Sequence, residues 1–185
     1  MPNRINQNNL AIWLRNPRNL VIVGLAVIAI VALAFFFFSN KDASSENNPS
    51  VRINKSYEVT ARTKDRKATD GKLKVVVTNA QIANSVLVQG KVARPVKGKV
   101  FLVVNMEIEN PYKVALYSFP VDLFRFVRSD DQKFAPSVHQ GTVEIRPQAT
   151  KKSNAAFVVD PKDKRFKIEV GEVGKEKQTL EITFR

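Results

Sequence analysis

The sequence predicts an all-β domain, an antiparallel sandwich or barrel, preceded by one N-terminal transmembrane helix. Three observations carry this. Residues 20–38, LVIVGLAVIAIVALAFFFF, hold no charged or strongly polar side chain. Beyond residue 57 the apolar residues recur with period two in seven or eight short runs. Turn signals separate those runs, and no sustained 3.6-residue stripe appears after residue 57.

The apolar run would span about 28 Å as a helix, close to the roughly 30 Å hydrocarbon core of a bilayer. Asn16 is placed to cap it and Pro17 to occupy its first turn. Trp13, Arg15 and Arg18 suit the headgroup level. A cleaved secretory signal has a shorter apolar region and a small-residue cleavage site. Here Ala32-Leu33-Ala34 is followed by four phenylalanines, so an uncleaved signal anchor is expected. The organisation read from the chain is a short cytoplasmic tail (1–18), a transmembrane helix (19–38), a flexible linker (39–56) rich in Ser, Asn and charge, and a β-sandwich domain (57–185). Arg15 and Arg18 against Lys41 favour a cell-membrane location with the N-terminus inside and the C-terminal domain extracytoplasmic. The run has no pair of small residues four apart, so no dimerisation motif is expected in the anchor.

Within the domain, residues 57–61 begin a first strand and Asp70-Gly71 signals a turn before the next. Leu73, Val75 and Val77 then alternate with Lys74, Val76 and Thr78, and a further segment covers residues 81–89. The clearest alternation is in residues 100–109. Leu102, Val104, Met106 and Ile108 share one face there, and Asn105, Glu107 and Glu109 the other. Asn110-Pro111 ends it. Residues 123–128 and 155–159 follow, the latter halted by Asp160-Pro161. Phe166, Ile168 and Val170, a VGEVGK turn, and Leu180, Ile182 and Phe184 complete the set.

Three stretches resemble a known family. They are Gly98-Lys99-Val100-Phe101-Leu102-Val103-Val104-Asn105 through Glu109-Asn110-Pro111, then Leu123-Phe124-Arg125-Phe126-Val127-Arg128 with Asp130-Asp131-Gln132-Lys133-Phe134-Ala135-Pro136, then Pro147-Gln148-Ala149-Thr150 with Ala156-Phe157-Val158-Val159-Asp160-Pro161. Over residues 73–185 the chain is similar to the extracellular immunoglobulin-like domain-of-unknown-function family numbered four-three-five-two, common on bacterial and archaeal surface proteins. It departs from that pattern around Gln132 and at Gln148 or Ala149, where the family carries glycines. The resemblance implies an immunoglobulin-like, non-catalytic surface domain and brings no site residues with it.

Composition narrows the chemistry. Cysteine is absent, which excludes disulfides and thiolate catalysis. His139 is the only histidine, and with Ser137 two residues away it is the sole opening for hydrolase chemistry, against the plainer reading of a loop histidine. No cofactor or metal is expected: there is no His/Cys cluster and no glycine-rich phosphate loop. Asp130-Asp131 reads as an acidic turn, not a calcium loop. The formal charge of +13 divides as +3 before the apolar run, +3 over residues 39–72 and +7 beyond. Within the domain it collects at Lys91, Arg94, Lys97 and Lys99, at Lys151 and Lys152, and at Lys162, Lys164, Arg165 and Lys167. Loops sharing one end would make these a patch for anionic lipid headgroups or envelope polymers, and otherwise they are a solvated surface. Few aromatics interleave them, so nucleic acid is not an expected partner. The expected function is therefore a membrane-anchored binding or adhesion module of unknown ligand and no enzyme. An accessory subunit of a membrane or cell-envelope complex is the alternative.

Overall fold

The computed structural model describes residues 48–185, so the tail, the anchor and the first half of the linker expected from sequence lie outside the described residues. Among the described residues no helix is long and apolar enough to cross a membrane. The period-two pattern becomes two antiparallel sheets packed face to face, a β-sandwich.

The larger sheet holds seven strands. They are β1 (Ser50–Arg62), β2 (Ala68–Ala83), β5 (Val100–Asn110), β6 (Leu116–Ser118), β9 (Val138–His139), β10 (Val143–Ile145) and β11 (Ala149–Val159), in the order β10-β6-β1-β2-β5-β11-β9. The smaller sheet holds β7 (Phe124–Val127), β8 (Lys133–Phe134), β12 (Arg165–Val170) and β13 (Gln178–Thr183), in the order β13-β12-β7-β8. A separate hairpin pairs β3 (Val86–Val88) with β4 (Lys91–Ala93). The single described helix is one turn, α1 (Pro120–Leu123), which leads into β7.

The strand at residues 100–109 behaves as its alternation dictates. Leu102, Val104, Met106 and Ile108 are buried in the main core with Val75, Val77, Ala155 and Phe157 on neighbouring strands. From the smaller sheet, Phe124, Phe166, Ile168 and Ile182 meet them. The first half of β5 is buried on its other side as well. Phe101 and Val103 form a second cluster with Ala83, Val86 and Ala156, because the β3–β4 hairpin folds over the outer face of the large sheet there. Gln140 helps hold it: its Nε2 donates to the Leu87 carbonyl at 3.2 Å, and its carbonyl accepts from Gln89 Nε2 at 3.2 Å. A strand covered on both faces reads as the continuous run Phe101-Leu102-Val103-Val104.

The structure corrects several expectations. The first strand starts at Ser50, not Tyr57, so the expected linker of residues 39–56 reaches residue 49 at most. Ser50 is paired with Gln81, and Val51 and Ile53 pack on the core. Asp70-Gly71 is not a turn, because β2 runs straight through it. The β1–β2 turn lies at residues 63–67, where Arg66 takes a φ of +65° and the Thr63 N–H donates to the Lys67 carbonyl at 2.9 Å. Gly71 serves a different need. A Cβ there would stand 3.3 Å from Cε2 of Tyr112, and the Tyr112 hydroxyl accepts the neighbouring Lys72 N–H at 3.0 Å. The segment expected at residues 81–89 is divided between the end of β2 and β3.

Two register shifts lie at one level of the large sheet. Opposite Lys55-to-Val51 on β1 stands Val77-to-Ala80 on β2, and opposite that Met106-to-Val104 on β5. The same interval thus takes four steps on β1, three on β2 and two on β5. The extra residue on β2 is Thr78, whose hydroxyl donates to the Asn105 carbonyl at 3.2 Å. Because of it the inward face passes from odd positions (Leu73, Val75, Val77) to even ones (Ala80, Ile82).

Candidate functional site

Strand pairing decides which basic loops meet. Val100 pairs with Val159, Arg165 with Thr183, and Ser50 with Gln81. One end of the sandwich therefore gathers the start of β1, the end of β2, the segment from β4 to β5, and the turn between β11 and β12. Lys91, Arg94, Lys97 and Lys99 arrive there with the first segment, and Lys162, Lys164 and Arg165 with the second.

The two clusters are tied directly. Lys99 Nζ donates to Asp160 Oδ2 at 3.1 Å, and Asp160 Oδ1 accepts the Lys162 N–H at 3.0 Å. That backbone bond and the Lys99 ammonium lower the Asp160 pKa, so the bridge is ionised at neutral pH. Among the described residues Lys91, Arg94, Lys97, Lys162, Lys164 and Arg165 enter no ion pair. Lys167 sits on the outer face of β12, on the same side as Arg165, with Val127 and Glu181 as its strand partners.

Lys151 and Lys152 do not join this group. They stand at the opposite end of β11, opposite Ile108 and Glu107 and about 26 Å from Val159 along the strand. Lys152 lies 3.8 Å from Glu107 Oε1. Two lysines adjacent in a run of strand residues give no local sign of which end of the sandwich they will reach, and the structure separates them from the rest.

Apolar residues missed by the sequence reading share the basic segment. Leu87 and Val92 are cross-strand partners on the outward side of the β3–β4 hairpin, 62% and 55% exposed, and Val96 on the connection to β5 is 69% exposed. Alternation was the available signal: Val86, Val88 and Ala93 face the second cluster, so Leu87 and Val92 must face away.

The remaining expected features resolve into structure. His139 is half-buried on β9, and its Nδ1 accepts the Gly141 N–H at 3.0 Å, which uses the atom through which a carboxylate would orient it. Asp130 and Asp131 do form a turn: Arg128 clasps both oxygens of Asp130, and Asp131 takes a φ of +60°. The Arg128 hydrogen bonds hold the Asp130 carboxyl at a pKa of about 2. No group of three or more His, Asp or Glu suited to a metal occurs among the described residues.

No family model matches this chain, and no curated protein does. It is similar to two solved structures. One is a conserved hypothetical protein from Bacillus anthracis, 17% identical with a TM-score of 0.44, covering 72% of this chain and 96% of that one. The other is an uncharacterised β-sandwich protein from Clostridium difficile 630, 14% identical with a TM-score of 0.48, covering 70% and 90%.

Proposed function

We propose that the chain is a membrane-anchored, non-catalytic binding module, an immunoglobulin-like domain held outside the cytoplasm that binds polyanions at its basic end. The observation that supports it is the meeting of residues 91–99 with residues 162–165 at one end of the sandwich, with six cations free of ion pairs among the described residues. The apolar run at residues 20–38 supports the anchor. The likeness to family four-three-five-two gains support from backbone geometry. Asp131 and Gln148, at or beside the positions where the pattern lacks its glycines, both hold left-handed φ values (+60° and +50°).

The test is binding of residues 48–185 to a phosphate-bearing polymer and to anionic vesicles across a salt series. Binding that weakens steeply from low to high salt is expected, and so is weakening when Lys97, Lys162 and Lys164 are changed to Gln. Salt-independent binding, or none, overturns the reading.

A further inference from the structure

We infer that the β3–β4 hairpin and its connection to β5 form a membrane-contacting flap that seats Leu87, Val92 and Val96 in the interface of an anionic bilayer. This deepens the polyanion reading and rests on it, but it commits to one occupant and adds an apolar component.

Three observations converge on this surface. The first is composition: residues 71–106 hold no Asp or Glu, and Lys91, Arg94 and Lys97, which enter no ion pair among the described residues, alternate along the chain with the exposed Val92 and Val96. Apolar side chains interspersed with unpaired cations match the layering of an anionic interface, where hydrocarbon lies beneath phosphate. A protein groove would ask for acidic residues to answer each lysine, whereas a bilayer supplies negative charge on every side.

The second is place. The described chain begins beside the base of this flap: the Pro49 carbonyl accepts the Ile82 N–H at 3.0 Å, and β3 starts four residues later. Only residues 39–49 separate the apolar run at 20–38 from β1. Eleven residues reach at most about 40 Å, so β1 and the end of the sandwich that holds the flap lie within that covalent reach of residue 38. The exposed valines of the opposite end, Val114 and Val173, have no such tie.

The third is that the apolar residues are dispensable to the fold. Val86, Val88 and Ala93 already fasten the hairpin through the second cluster, which leaves Leu87 and Val92 with no packing task. They can change without unfolding the domain.

The absence of cysteine allows a clean measurement on the full chain. Val96→Cys, labelled with a polarity-sensitive fluorophore, is reconstituted into phosphatidylcholine vesicles with and without phosphatidylglycerol, and Val173→Cys is the control. The label at 96 is expected to blue-shift and to be quenched by lipid-borne quenchers only with phosphatidylglycerol, while the label at 173 stays in water. Leu87→Ser with Val92→Ser should restore the aqueous spectrum of the label at 96. A label at 96 that remains aqueous in both vesicles overturns the flap, and salt-sensitive binding of residues 48–185 then shows that the polyanion reading outlives it. An equal shift in neutral vesicles, or a shift without lipid quenching, also overturns it, the latter pointing to a protein on that face.

Discussion

Glu172 reaches across the sandwich to Thr60: its Oε1 accepts both the Thr60 N–H and the Thr60 hydroxyl at 2.9 Å. Thr60 belongs to β1 of the large sheet and Glu172 to the loop between β12 and β13 of the small one, so one carboxylate pins the two layers together. Lys175 donates to the same oxygen at 2.8 Å, and Arg62 approaches the other at 3.8 Å.

Glu172→Ala removes the acceptor and leaves the part-buried Thr60 N–H and hydroxyl without it, which should cost about 1–3 kcal/mol in denaturant unfolding. Glu172→Gln keeps an acceptor for Thr60 and should cost less. Burial pushes the Glu172 pKa up, but the bonds from Lys175 and Thr60 outweigh it, and the net shift is downward from 4.5. A depressed carboxylate stabilises the fold above its unfolded pKa and loses that contribution as pH falls through the folded value. The wild type should therefore lose more stability than Glu172→Gln on acidification below about pH 4.5. Parallel acid profiles for the two would remove the ionic part of the explanation.

Met106 is 1% exposed between Val77 and Ser153, while the next residue, Glu107, points to the other side near Lys152. Met106→Asp should abolish cooperative unfolding by burying an unpaired charge. Glu107→Gln should change stability by no more than about 0.5 kcal/mol. Circular dichroism with urea melts separates the outcomes, and a folded Met106→Asp variant would reverse the assignment of faces.

The sequence made this strand legible because its burial follows its own alternation. It misled where a residue answers to a distant partner. Gly71 looks like a hairpin glycine, yet its lack of a side chain makes room for Tyr112, forty-one residues away. Thr78 breaks the alternation as a strand end would, although the strand continues. The basic loops were visible as composition. Which of them meet depends on pairing such as Val100 with Val159, and nothing local in Lys151 or Lys152 reveals that β11 carries them away from the others.

Gln148 holds a φ of +50°, a conformation that disfavours any residue with a Cβ, while its N–H donates to the Tyr112 carbonyl at 2.9 Å. Relief of that strain, about 1–2 kcal/mol, exceeds the extra chain entropy of glycine, about 0.5–1 kcal/mol. Gln148→Gly should thus raise stability by up to about 1 kcal/mol, and Gln148→Val should lower it. Urea midpoints with unchanged slopes would establish both signs. A destabilised Gln148→Gly would mean that the glutamine side chain contributes more than the backbone strain removes.

The four, three and two steps taken by β1, β2 and β5 through one level of the sheet have a consequence for how relatives are aligned to this chain. Face identity beyond Thr78 is set by a count of residues and not by their kind. A homologue that lacks only the counterpart of Thr78 alternates plainly from Val77 through Asn79 to Ala80 and keeps the counterparts of Ala80 and Ile82 inward, whereas a gap drawn a column or more away assigns the residues in between to the wrong face. Gaps in this part of an alignment belong where the ladder changes step, at positions 53–54 and 78, even when residue similarity would place them elsewhere.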